Sequence, residues 1–249
     1  MRHRDRNGAA APKRFSGGST MNSHNESTHR TVGTTIGIAA LVILALGVSS
    51  SPLLAGNPPA QDVEITQYEG ERLGSVDDFR ENSIRGVQRI DAGSYSLLID
   101  GLVEQTASHT YQELLRMPHQ RKLVTIHCVE GWSVKALWEG IPLRILLEDV
   151  APINAATTVI FHAADGYTTS LPLETILERN LIIADRLNGL VLPPANGFPF
   201  QLVAEDKLGY KWIRWLTRIE LSSDSDYRGF WETRGYNNGA DIDGPILER

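Results

Sequence analysis

The chain has 249 residues, 41% of them hydrophobic and 22% charged, the composition of an ordinary globular protein with room for one large domain or two small ones. Its single cysteine excludes an intrachain disulfide, a thiolate zinc cluster and a Cys-x-x-Cys redox pair. The formal net charge is −6, and because residues 1–30 hold a net +4, the rest of the chain carries −10, an acidic body that makes a poor nucleic-acid binder.

Residues 1–30 are rich in Ser, Asn, Gly and Arg and nearly devoid of large apolar side chains, so they read as a disordered cationic tail. Residues 31–55 are uncharged and centre on an apolar run from Ile36 to Val48, close to the roughly 20 residues a bilayer helix needs. This is expected to be a membrane anchor or a signal segment. The positive charge before it places the N-terminus in the cytoplasm and everything after Gly56 outside. Residues 56–62, with Pro58 and Pro59, form a linker, and one folded domain is expected over 63–249.

Within that domain, Tyr95 to Asp100 alternates as a strand closed by Asp100-Gly101. Thr110-Tyr-Gln-Glu113 is a capping box for a helix that must stop before Pro118. Leu123 to Ile126 reads as a buried strand, and Ile141-Pro142 opens a helix through Leu147. Thr157 to Ala163, a turn at Asp165-Gly166 and Tyr167 to Leu171 form a hairpin, followed by a short helix from Pro172 to Arg179. Asn188-Gly189 signals a second hairpin. Phe200 to Ala204 and Lys211 to Leu221 read as strands, the latter with Ile213, Trp215, Thr217 and Ile219 on one face and Trp212, Arg214, Leu216 and Arg218 on the other. Residues from Ser222 onward are expected to pack as loops. Many strands, short helices and frequent hairpins define an α+β fold with mixed or antiparallel sheets. No glycine-rich loop supports dinucleotide or nucleoside triphosphate binding.

Cys128 stands where the strand ending at Ile126 emerges into a loop. Alternation puts Cys128 and Glu130 on one side and His127 on the other. The thiol is open to three readings: a buried structural group, a nucleophile served by His127, or a metal ligand. A single thiolate is too little to hold a free ion, but suffices when a large cofactor brings the other ligands.

Cys128-Val-Glu-Gly-Trp-Ser133 followed by Trp138-Glu-Gly-Ile-Pro-Leu143 resembles the molybdopterin-binding domain of the sulfite oxidase superfamily, in the branch of the periplasmic methionine sulfoxide reductases. Asp100-Gly-Leu-Val103, Asp165-Gly-Tyr167, Ser170-Leu-Pro-Leu173, Leu192-Pro-Pro194, Asn196-Gly-Phe-Pro199 and Gly209-Tyr-Lys-Trp-Ile-Arg214 extend the likeness over residues 64–236.

The resemblance implies a molybdopterin (molybdenum cofactor) oxidoreductase with Cys128 as thiolate ligand to molybdenum and Glu130 as a catalytic carboxylate nearby. It assigns cofactor contacts to Asn82, His162, Asn196, Lys211, Trp212, Ile213 and Arg214; Gln201 stands where the sulfoxide reductases have an arginine. By themselves, His162 reads as a hydrogen-bonded core histidine and Asn196 as a turn residue. The implied protein is an extracytoplasmic, membrane-anchored monomer that moves two electrons and an oxygen atom, reduces an S-oxide or N-oxide and takes electrons from a membrane partner. Against it stand a sulfite-oxidising enzyme of the same fold, a cysteine hydrolase using Cys128 and His127, and an anchored binding module without cofactor.

Overall fold

A computed structural model describes residues 62–248. The expected tail, the membrane segment and the linker up to residue 61 lie outside the described residues. Among the described residues no helix is long and apolar enough to cross a membrane.

In chain order the strands are β1 (Gln67–Tyr68), β2 (Glu71–Arg72), β3 (Ser96–Gly101), β4 (Ala107–Thr110), β5 (Gln120–His127), β6 (Ser133–Pro142), β7 (Thr158–Ala163), β8 (Thr168–Pro172), β9 (Ile182–Leu187), β10 (Leu190–Val191), β11 (Gln201–Val203) and β12 (Leu216–Ser222). The α-helices are α1 (Tyr111–Leu114), α2 (Leu143–Val150) and α3 (Leu173–Glu178). One sheet runs β10-β9-β6-β5, with β11 also paired to β9. The other runs β4-β3-β12-β7-β8, with β12 parallel to β3 and antiparallel to β7. A small β1-β2 ribbon stands apart. The mixed sheets and short helices are those expected of an α+β chain.

Local chemistry accounts for most boundaries. Thr110 accepts from the backbone of Glu113 while the Glu113 carboxylate accepts from Thr110, so α1 starts on a reciprocal cap. Helix α2 begins one residue after Pro142 and runs a turn beyond the expected Leu147, because Leu143, Leu146, Leu147 and Val150 continue one buried stripe. It stops at Ala151, whose backbone turns left-handed. Strands β6 and β9 approach so closely at Gly140 that a Cβ there would lie 2.0 Å from the Ile183 carbonyl oxygen. Only glycine fits between them.

The expected strand from Lys211 to Leu221 is a correction. Gly209–Lys211 forms a 3-10 turn, Trp215 sits at φ +54°, and β12 begins only at Leu216. The indole of Trp215 is buried and donates to the Pro194 carbonyl at 2.8 Å, while its backbone N–H reaches the Gly197 carbonyl. Packing of this ring into the Pro193–Gly197 turn outweighs the preference of residues 211–215 for an extended ladder. The two alternating faces expected across the segment therefore do not exist before Leu216.

Candidate active site

The β5-β6 hairpin ends in a tight turn whose first residue is Cys128. His127 is the last residue of β5 paired with β6, opposite Ser133. The Cys128 N–H then donates to the Trp132 carbonyl at 2.9 Å, and the Gly131 N–H to the Cys128 carbonyl at 3.0 Å. Gly131 closes the turn at φ +85°, a conformation that favours glycine. On the far side His127 bridges to Leu208, which brings the Gly209–Lys211 turn beneath Cys128.

Cys128 opens into a cavity of about 390 Å³. Its walls come from five parts of the chain: Cys128 to Trp132, residues 76–84, Asp165 and Tyr167 at the β7-β8 turn, the segment carrying Asn196 and Gln201 with Trp212 to Trp215, and Trp231 with Tyr236 near the C-terminus. Glu130 shares the cavity with Cys128, as expected, but so does Val129 between them, because the turn and not strand alternation places them; the Glu130 carboxylate accepts from the Trp132 indole N–H at 3.1 Å. Ile126 and Cys128 line the wall but His127 does not, so the thiol–imidazole pair of a cysteine hydrolase is not assembled.

Asn82 reaches Cys128 from the opposite wall, its Nδ2 lying 3.8 Å from the sulfur. Arg214 orients that amide. One guanidinium nitrogen donates to the Ala195 carbonyl at 2.8 Å, and the other lies 3.2 Å from Asn82 Oδ1 and 3.4 Å from Glu81. Because Oδ1 faces a cation, Nδ2 is the end turned toward sulfur. Burial would raise the Glu81 carboxyl, but the Ser83 backbone N–H, which donates to it at 2.7 Å, and the charge of Arg214 hold it below its usual range. Burial lowers the pKa of Arg214, opposed by Glu81 and Asp165. The Cys128 thiol is pushed up, first by burial and then by the Glu130 charge, against backbone N–H groups and Arg80.

Asn196, Trp212, Ile213 and Arg214 all line the cavity, as expected. Two expected contacts do not. Lys211 is fully buried on the other side of its turn, where Nζ donates to the Ser170 carbonyl at 3.0 Å, Glu232 at 2.6 Å and Asn238 at 3.1 Å. The 3-10 geometry turns it away from the space that a continuous strand would have given it. His162 lies on β7 outside the cavity, its Nε2 2.9 Å from Glu220 and 3.3 Å from Arg218, within a cross-strand charge network that includes Asp100.

Several cavity residues had no role in the sequence reading: Ser83, Asp165, Trp231, Tyr236 and, as a wall residue, Gln201. Asn196 and Gln201, 7% and 3% exposed, present side-chain amides on the cavity wall. The Ser83 hydroxyl is buried without a hydrogen-bond partner. Native interiors seldom leave such groups unmet. No group of three or more His, Cys, Asp or Glu among the described residues could hold a bare metal ion. The cavity therefore offers one thiol, one unmet hydroxyl and the amides of Asn82, Asn196 and Gln201, a donor set that fits a polar organic cofactor carrying a metal with most of its ligands in place.

Comparison with known proteins agrees. Residues 84–231 match the family model described as an oxidoreductase molybdopterin-binding domain, and the chain belongs to that family. It is 34% identical over 151 residues to a provisionally named protein-methionine-sulfoxide reductase subunit of Azospira oryzae, covering 61% of this chain and 57% of the relative. It is 33% identical over 145 residues to the protein-methionine-sulfoxide reductase catalytic subunit of Gluconobacter oxydans, covering 51% of this chain and 46% of the relative. This chain thus spans about half the length of these curated relatives. The crystal structure of the sulfane dehydrogenase of Paracoccus pantotrophus shares the fold, with a TM-score of 0.55 at 21% identity over 60% of this chain and 42% of that one.

Proposed function

We propose that this domain reduces a neutral S-oxide or N-oxide at a molybdenum held to the protein through Cys128. The observation that carries the reading is the composition of the cavity: a single thiol, an amide directed at its sulfur, and a carboxylate on the same turn. When bound, molybdopterin supplies two-electron chemistry coupled to oxygen-atom transfer. The chain's own residues do the rest. Asn196, Trp212, Ile213 and Arg214 hold the cofactor, joined by Gln201, while Asn82 donates to the thiolate and restrains its orientation. Glu130 is the carboxylate placed to relay a proton from solvent to the departing oxygen, and Trp132 fixes that carboxylate through its indole N–H. The relatives' names, protein-methionine-sulfoxide reductases, support an S-oxide on a peptide as the substrate.

Charge favours a neutral substrate over sulfite. The cavity is lined by Asp77, Glu81, Glu130 and Asp165 against Arg80 and Arg214, and Arg214 is occupied by Glu81. One unmatched carboxylate near an anion costs up to about 4 kcal/mol at contact and an effective dielectric of 20. The domain is further read as monomeric, extracytoplasmic and anchored through residues 31–55, with electrons supplied by a membrane partner. The deciding assay runs the loaded enzyme both ways, with reduced viologen plus methionine sulfoxide and with sulfite plus ferricyanide. Faster sulfoxide turnover is expected, and faster sulfite turnover overturns the assignment.

A further inference from the structure

The wall that carries Asn82 is held from a distance by one buried amide. Asn188, at the β9-β10 turn, is fully buried with φ +49°. Its Oδ1 accepts from the Leu137 N–H of β6 at 3.0 Å, and its Nδ2 donates to Glu64 at 2.9 Å and to the Gly74 carbonyl at 2.7 Å. The same Glu64 oxygen accepts from the Val76 N–H at 2.7 Å, and the other accepts from the Ser75 hydroxyl at 3.0 Å. Both donors and one acceptor position of the Asn188 side chain are thus used to clamp residues 64–76 onto β6.

From Val76 the chain runs directly into the cavity wall, where Phe79 packs edge-on against Trp132 and Trp138, and Asn82 meets Arg214 and the Cys128 sulfur. Asn82 is exposed, so its reach depends on where the segment before it is held. All of residues 62–83 precede the stretch matched by the family model. Neither Glu64 nor Asn188 lines the cavity.

We infer that Glu64 and Asn188 are positioning residues: their hydrogen-bonded pair sets residues 76–83 so that Asn82 reaches Cys128. A carboxylate serves because it can accept from two backbone and side-chain N–H groups on one oxygen and a hydroxyl on the other. Glutamine keeps that pattern, since its carbonyl accepts from Val76 and Asn188 and its amide donates to Ser75. Alanine abolishes it.

Hydrogen exchange followed by mass spectrometry on the full-length, cofactor-loaded chain tests this without reference to which oxide is reduced. Glu64→Ala removes three hydrogen bonds and should speed exchange of residues 73–83 by at least about tenfold, the change in a local opening equilibrium that losing even one charge-assisted hydrogen bond brings. Strands β5 and β9 should keep their parent rates, and Glu64→Gln should stay near the parent throughout. Should Glu64→Ala not fold, Glu64→Asp, whose shorter side chain cannot meet Ser75, Val76 and Asn188 at once, should give a smaller acceleration confined to the same residues. Unchanged exchange at 73–83, acceleration spread evenly over the sheets, or a Gln variant as fast as the Ala variant overturns the inference.

Discussion

The side-chain amide of Asn82 lies 3.8 Å from the sulfur of Cys128, although 46 positions separate them in sequence. The contact joins a loop with no regular structure to the end of a buried hairpin, and Arg214 fixes which end of the amide faces the thiol. Asn82→Ala is expected to leave stability within about 0.5 kcal/mol, because the residue is exposed. Turnover or metal retention should nevertheless fall about 10- to 100-fold, the usual cost of removing a partner that orients a ligand. Thermal unfolding beside steady-state kinetics measures both; a variant as active as the parent would remove Asn82 from the site.

Cys128→Ala should yield folded protein without molybdenum. The thiol is the only one in the chain, and among the described residues no cluster of other ligands can replace it. Elemental analysis of purified parent and variant is the measurement. Equal metal in both would mean that the protein holds its cofactor through other groups.

Lys211 supports the fold rather than the cofactor. Its ammonium and the Glu232 carboxylate are both fully buried and 2.6 Å apart. Lys211→Met leaves an uncompensated carboxylate and should cost about 3–5 kcal/mol, whereas Lys211→Met with Glu232→Leu should recover most of it. Denaturant unfolding of the two variants decides; a single variant as stable as the double would show that the pair has no coupling.

Gly197 should be a site residue through its backbone. It adopts φ +103° between Asn196 and Phe198, and a Cβ there would stand 2.9 Å from the Arg214 side chain. Gly197→Ala is expected to cost about 1–2 kcal/mol of backbone strain and to displace Arg214, lowering cofactor content. Gly70, at φ +83° with open space around it, provides the comparison: Gly70→Ala should show a similar loss of stability and full loading. Loading equal in the two variants would separate Arg214 from cofactor binding.

Much of this site was legible in the sequence because it is local. Cys128 and Glu130 sit two residues apart on one turn, so their sharing of a wall depends on nothing distant in sequence. The capping box at Thr110 and the hairpin signals at Asp165-Gly166 and Asn188-Gly189 act within a few residues of chain, and they appear where expected. Lys211 was misplaced because the fate of residues 211–215 is decided by Trp215, whose ring packs into a turn distant in sequence. His162 faces Arg218 and Glu220 through a register that only the assembled sheet defines. Gln201 stands in a three-residue strand buried on both faces, so no alternation marked the side on which it opens to the cavity. Trp231 and Tyr236 come from loops whose course carries no periodic signal.

Strand β12 lies at the centre of its sheet, between β3 and β7, and Arg218 on it bonds Asp100 across 118 positions of chain. Until residue 222 has left the ribosome, β3-β4 and β7-β8 are two separate hairpins, each too small to persist alone in water. Arg214, Trp231 and Tyr236, which close the cavity, emerge in the same final stretch. The nascent chain thus has no closed pocket to fill until the stretch through Tyr236 has emerged.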